Sequence, residues 1–414
     1  MSRLMLGYGK SEVSVNVPSE NLLQIVKPNE LPGAKDEAVE IKRALMNPIN
    51  SKRLSELVHD GQKVAIVVSD ITRPTPSHKL LLPLLQELND GNIPDEDITI
   101  VFATGLHRRL TEKEMEQQVG LDVHNRVKCI NHDVDDCTYI GTTKRGTRVN
   151  VLRVVANADV VICVGTIELH YFAGYSGGAK SILPGVSSRE TIEMNHKLML
   201  LPGASSGKVD SPVRVDMEEA GAALGVTFIL NVVLNTKKEI VKAFAGDMIG
   251  AHRAGVAYVD KMYKVPIKDK ADIAIASSGG APKDLDVYQA YKALDNATHA
   301  ITEKGSIILI AECAEGLGNE VFERWVEKAK SPRDVIRRIK QRFALGGHMA
   351  AQIARIAEKR DIYLVSAMPG ELAKKAFFTP VKDAQDALVR AMEKHGKDAK
   401  VIVIPYGNST LPGA

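Results

Sequence analysis

The chain has 414 residues, of which 44% are hydrophobic and 25% charged, with a formal net charge of +3. This length exceeds one typical core and implies two domains, and the near-neutral charge excludes a general nucleic-acid or anionic-membrane binder. No run reaches the about 18 apolar residues of a membrane span, and the N-terminus lacks the apolar core of a secretion signal.

The four cysteines, Cys129, Cys137, Cys163 and Cys313, form neither a C-x-x-C pair nor a zinc spacing. That usage fits a reducing compartment, and a cytoplasmic protein is expected.

Short apolar runs alternate with helical patterns along the chain. Lys63–Ser69 (KVAIVVS) predicts a strand, followed by a helix over His78–Leu88. Ile98–Ala103 predicts a second strand. Thr111 and Glu114 then form a capping box that opens a helix ending near Gly120. Val149–Val155 and Val160–Val164 continue the strand pattern. Ser187 and Glu190 form a second S-x-x-E pair, so a helix is expected there that carries His196, before the strand Val226–Leu234. This rhythm implies mostly parallel sheets covered by helices.

The rhythm restarts beyond the polar segment Val265–Lys270, the expected boundary. Asp272–Ala276, Ser306–Ala311, Asp361–Ser366 and Lys400–Pro405 predict strands. Val287–Leu294, Ser331–Phe343 and Val381–Lys394 predict helices between them. The expected fold class is therefore α/β with two domains, 1–265 and a smaller 266–414, and an active site in the cleft between them.

In parallel α/β sheets ligands bind at the carboxyl ends of strands. The loop after Lys63–Ser69 holds Asp70 and Arg73, stiffened by Pro74 and Pro76. Arg73 offers a fork to a carboxylate or phosphate, with Asp70 expected to orient it. The loop after Ile98–Ala103 holds His107, expected just before a helix whose dipole favours a neutral imidazole base. The third loop, after Val160–Val164, holds His170, the flexible Gly177 and Gly178, and Lys180. Singly, each residue has an ordinary structural explanation. Together they offer two proton carriers for racemisation or epimerisation, a carboxylate anchor, and a Lys suited to covalent attachment of a cofactor. His196 would then be a lone protein ligand to a metal held mainly by that cofactor. In the second half, Gln289 and Lys292 are three apart and so share a helix face, near Tyr288; that spacing fits a solvated face as well as a substrate contact across the cleft.

At these residues the chain resembles the nickel-dependent lactate racemase family, the 2-hydroxyacid racemases and epimerases. The matching motifs are SDITRPTP at Ser69–Pro76, TGLHR at Thr104–Arg108, HYFAGYSGGAKSILPG at His170–Gly185, Asn195-His196, and YQAYK at Tyr288–Lys292. The resemblance implies a nickel-pincer nucleotide, a pyridinium thioamide/thiocarboxylate mononucleotide linked through Lys180, with His196 on the nickel. Asp70, Gly177 and Gly178 would border it. His107 and His170 would be the two acid/bases, one per substrate face, each taking the C2 hydroxyl proton while C2 gives hydride to the cofactor. A planar 2-keto acid would form, and hydride return to its other face would invert the centre. Arg73, Tyr288, Gln289 and Lys292 would hold the substrate. The implied partners are a small 2-hydroxyacid and the enzymes that assemble the cofactor, with no nucleic acid and no membrane.

One departure stands out. The lactate enzymes carry a Trp near Gly346-Gly347-His348, whereas the one Trp here is Trp325, elsewhere in the pattern. The resemblance therefore implies a 2-hydroxyacid larger or more polar than lactate, with His348 a specificity residue. A nicotinamide-dependent oxidoreductase is the alternative among enzymes, but no G-x-G-x-x-G turn with a following acidic residue is present. A non-catalytic carboxylate- or nucleotide-binding protein is the other alternative, and it would need Arg73 but not two His.

Overall fold

The structure, a computed structural model, describes residues 1–413. It forms two compact units, Glu30–Lys261 and Met1–Asn29 joined with the chain from Met262 onward.

The sheet of the Glu30–Lys261 unit has six strands. In spatial order they are Ile240–Gly246, Phe228–Leu234, Val160–Thr166, Val64–Ser69, Ile98–Ala103 and Lys128–Asn131. All neighbours pair in parallel except Ile240–Gly246, which runs antiparallel to Phe228–Leu234. The central strands are continuous β-branched runs because helices cover both faces, so neither face needs polar residues. Ile66, Ile100, Ile162 and Leu230 are fully buried in one core with Leu80, Leu81, Leu84 and Leu88 of the helix Ser77–Asp90. Cys163 is a small core residue whose thiol is pushed up to about 12 by burial.

The chain moves outward from Val64–Ser69 to Ile98–Ala103, then returns to place Val160–Thr166 on the other side of Val64–Ser69. The connections therefore diverge around Val64–Ser69, the switch point at which ligands bind in such sheets.

The other unit holds six parallel strands in the order Thr379–Pro380, Ile362–Val365, Ile301–Ile310, Ala271–Ser277, Val401–Ile404 and Leu22–Ile25. Ile273, Ile275, Ile308, Ile310, Val401 and Val403 form its core. A hairpin of Ser2–Tyr8 and Ser11–Val17 packs Leu6, Val15 and Val17 onto that core.

Several expectations need correction. The first 29 residues do not belong with the rest of 1–265: Leu22–Ile25 pairs with Val401–Ile404 and adds an edge strand to the second unit. Val149–Val155 is not one strand of the main sheet. Arg148–Leu152 pairs antiparallel with Cys137–Thr142, and Arg153–Ala156 turns into a short helix. The capping box at Thr111 and Glu114 is present and opens Glu112–Val119. The one at Ser187 is displaced by a residue. Ser188 caps the helix Arg189–Lys197 by accepting from Thr191 N–H, while the Ser187 hydroxyl donates to the Ile182 carbonyl.

Candidate active site

Three neighbouring strand ends carry the expected residues of the Glu30–Lys261 unit. After Val64–Ser69, the Asp70 carboxylate is buried and organises its own turn. Its Oδ1 accepts from Thr72 N–H at 3.1 Å and from the Thr72 hydroxyl at 2.6 Å. Its Oδ2 takes His107 Nδ1 at 2.6 Å. Asp70 was expected to orient Arg73. Its carboxylate instead orients His107, and Arg73 is tied to Asp70 by a backbone bond, Arg73 N–H to the Asp70 carbonyl at 3.2 Å.

The next helix begins only at Glu112, capped by Thr111, so no helix end lies directly against His107. The partner that fixes this imidazole is a carboxylate. With Nδ1–H donated to Asp70, Nε2 is the atom that takes or gives a proton. The side chain is 53% exposed, against 4% for Asp70. Burial alone would raise the Asp70 pKa. Hydrogen bonds from His107 and Thr72, with the charges of His107 and Arg73, outweigh it and hold the carboxyl below its usual range.

The loops are bonded to one another. Thr75 Oγ1 lies 2.9 Å from Thr166 Oγ1, at the end of the third strand. Gly105 N–H donates to the Gly185 carbonyl at 2.9 Å, tying the His107 loop to the segment after Lys180.

Leu169–His170 folds back on Gly174–Tyr175 as a small antiparallel ladder. The His170 ring meets Phe172 edge-on at 4.6 Å, and Phe172 meets His196 at 5.0 Å. One aromatic side chain therefore lies between the two imidazoles. His196 belongs to Arg189–Lys197, which is anchored by its neighbour. Asn195 Nδ2 donates to the Val213 carbonyl and to Asp216 Oδ2, and Asp216 also accepts from the hydroxyls of Thr143 and Thr147.

The glycine loop between them is held from outside. Gly177 and Gly178 have φ of 75° and 55°. A Cβ on Gly177 would lie 2.7 Å from Asn231 Oδ1, and one on Gly178 would lie 3.1 Å from the His252 ring, so glycine is required twice over. Asn231 Oδ1 accepts from Gly178 N–H at 2.7 Å. His252 Nε2 donates to the Ser176 carbonyl at 2.8 Å, and Arg214 donates to the carbonyls of Tyr175 and Gly177. Lys180, in the short 3₁₀ turn Gly178–Ser181, is pushed well below the usual lysine pKa by burial, then by the charges of Arg73 and Arg214, against Glu168 and Asp70. Asp70, Arg73, His107 and Lys180 thus form one electrostatic group.

Sequence reasoning missed Arg214, Asn231, His252 and Asp216. Arg214 left a signal: it falls on the buried stripe of Pro212–Leu224 with Met217 and Gly221, where an apolar residue is expected.

In the other unit, Tyr288, Gln289 and Lys292 lie on the helix Val287–Thr298, capped by Asp286, which accepts from Gln289 N–H. His348 lies in the helix Gly347–Ala357 and is 2% exposed. Its ring sits 6.1 Å from Tyr288, edge-on, and 6.1 Å from Phe343, stacked. Its Nδ1 accepts from Gly346 N–H, and burial pushes its pKa down to about 4, so the imidazole is neutral at pH 7. Trp325, elsewhere in the sequence pattern, comes close to this helix in space. A Cβ on Gly347 would lie 2.6 Å from its indole, which therefore packs beside the residue that precedes His348.

The model of the lactate racemase N-terminal domain matches residues 8–207, and that of the C-terminal domain matches residues 267–411. A lactate racemase of Thermoanaerobacterium thermosaccharolyticum is 37% identical, with 99% of each chain covered. The chain belongs to the lactate racemase family.

A lactate racemase of Lactiplantibacillus plantarum is 34% identical over 98% of this chain and 99% of its own. The solved lactate racemase apoprotein of T. thermosaccharolyticum superposes with a TM-score of 0.93 at 35% identity, covering all of both chains. A Thermotoga maritima protein shares the fold at 20% identity with a TM-score of 0.65, covering 92% of this chain and 99% of its own. Lactate racemases are isomerases. No helix among the described residues is long and apolar enough to cross a membrane.

The lowered Asp70 pKa has a consequence for stability. The ionised carboxylate stabilises the fold above its ordinary value of 3.8, and that contribution is lost as pH falls through the lower folded-state value. Asp70→Asn should therefore lower the urea midpoint at pH 7, and the gap from wild type should shrink as the pH is taken below 3.8. Urea titrations of both proteins across that range check this, and a gap that stays constant would contradict it.

Proposed function

We propose that this chain is a racemase or epimerase of a 2-hydroxyacid, and that it carries a nickel-pincer nucleotide on Lys180 with His196 as the protein ligand to nickel. The observation that carries this reading is the Lys180 amine, pushed towards its neutral form by burial, in the same loop as His170 and within electrostatic range of Asp70 and Arg73. A neutral amine is the nucleophile that covalent attachment needs.

The residues present fit the group. A metal held mainly by a bound molecule asks for only one further ligand from the protein. His196, fixed through Asn195 and Asp216, supplies the remaining one. The glycine loop brings backbone rather than side chains against its neighbours, which leaves Lys180 as the reactive group it presents. When bound, the pincer group supplies a centre that accepts and returns a hydride. Its loading depends on cofactor-assembly enzymes, which are the implied protein partners.

The chain's own residues manage binding and the proton. Arg73 holds the substrate carboxylate with its planar fork. His107, with Nδ1 committed to Asp70, takes the O2 proton of one enantiomer at Nε2. His170 does the same for the other. Loss of that proton and of the C2 hydride leaves a planar 2-keto acid, and return to the opposite face inverts C2. We assign Tyr288, Gln289, Lys292 and His348 to substrate recognition. We assign to this chain a substrate larger or more polar than lactate, with His348, beside Tyr288, as the specificity residue.

His107→Ala and His170→Ala, each made in loaded enzyme, should lower racemisation by about 10²–10⁴-fold, the contribution of a positioned acid/base, with folding and cofactor content unchanged. Near-normal rates in either variant would contradict the two-base assignment. In a second test, L- and D-forms of lactate, malate, 2-hydroxyglutarate and longer-chain 2-hydroxyacids are compared by chiral chromatography. Turnover of one of the larger acids should exceed that of lactate. Lactate as the fastest substrate would overturn the specificity reading and leave the racemase reading intact.

A further inference from the structure

Arg214 is fully buried, yet no carboxylate pairs with it among the described residues. The acid that most favours its charged form, Glu218, is committed to Arg253 through two bonds of 2.8 Å. Arg214 Nε has no hydrogen-bond partner among the described residues. Burial pushes its pKa down to about 10, which still leaves it charged at pH 7. A buried cation with no direct counter-ion costs stability, and an apolar residue in the stripe with Met217 and Gly221 would avoid that cost. The fold keeps the charge all the same, directly behind the Lys180 loop.

We propose that Arg214 is a positioning residue for Lys180. Its guanidinium fastens the Tyr175 and Gly177 carbonyls, and it sets a fixed positive charge against the lysine amine.

The proposal rests on the reading of Lys180 as the attachment point, and it explains how the chain prepares that point before any cofactor arrives. Four charged groups face the amine: Arg73 from the Asp70–Pro76 turn, Arg214 from the helix Pro212–Leu224, and Glu168 and Asp70 from the strand ends. The two cations disfavour the ammonium and the two carboxylates favour it. Burial, the largest influence, acts with the two cations, and together they push the lysine pKa well below its usual value. The carbonyl clamp is shared. Arg253 donates to His252 Nδ1 at 3.1 Å, which fixes the tautomer whose Nε2–H holds the Ser176 carbonyl. Three successive carbonyls, those of Tyr175, Ser176 and Gly177, are therefore held by buried cationic or imidazole donors.

Acetylation of the unloaded chain by acetic anhydride tests this without any cofactor. The neutral Lys180 Nζ attacks an acyl carbon, the N–C bond forms as acetate leaves, and the amine proton passes to buffer. The rate at Lys180 is followed against pH by peptide mass spectrometry, with the exposed Lys113 as reference in the same chain. The wild-type midpoint for Lys180 should lie below that for Lys113. Arg214→Met should move it up towards Lys113, and Arg214→Lys, which keeps the charge, should leave it low. Arg214→Lys loses the fork, so amide exchange of Tyr175–Lys180 should speed up. A wild-type Lys180 midpoint equal to that of Lys113, or no shift in folded Arg214→Met, would overturn the proposal. If Arg214→Met does not fold, Arg214→Lys decides: faster exchange supports the clamp and unchanged exchange overturns it. Because the chain is unloaded, a failure of cofactor attachment would appear in a different experiment and leave these outcomes readable.

Discussion

The candidate site depends on the side-by-side burial of three parallel strands, Val160–Thr166, Val64–Ser69 and Ile98–Ala103. Their apolar faces are sealed by helices, so register and direction are fixed by core packing. Because all three end at the same edge, the loops that carry Asp70, His107 and His170 leave the sheet on one side although they lie far apart in the chain. The Thr75–Thr166 and Gly105–Gly185 bonds then join the loops to each other. The polar chemistry is placed by an apolar constraint.

On that base the fold holds charge under tension. Asp70 is kept ionised despite burial, and Lys180 is pushed towards its neutral form. A carboxylate held charged beside an amine pushed towards neutrality marks a candidate functional site. Here the opposition is produced by few residues. His107 and Thr72 satisfy the carboxylate, while Arg73 and Arg214 oppose the ammonium. Asn195, Asp216 and His252 are buried polar residues that touch the site only through the backbone or helix they hold.

Much of this was legible in the sequence. The parallel strands were plain because a strand buried on both faces is a continuous run such as VAIVVS. The loop residues were plain because Gly, Pro, His, Lys and Arg gathered after those runs. Contacts that depend on long-range closure were not. Leu22–Ile25 is short and only partly buried, so nothing local shows that it pairs with Val401–Ile404. Asp70 looked like a partner for Arg73, three residues away, whereas its carboxylate reaches His107, 37 residues away. Arg214 acts on Gly177 across the same distance in sequence. Trp325 seemed unrelated to Gly347 until the helices were packed. Spacing within one element can be read from sequence, but spacing between elements is set by the packed core.

The central claim is that Lys180 is an attachment point for a nickel-bearing nucleotide. It is tested most directly by intact mass and metal analysis of the chain co-expressed with cofactor-assembly enzymes, beside Lys180→Ala. The account predicts an added mononucleotide mass and bound nickel in the wild type, both absent from the variant. An unmodified, nickel-free wild-type chain, under conditions that load a lactate racemase of the same family, would contradict it.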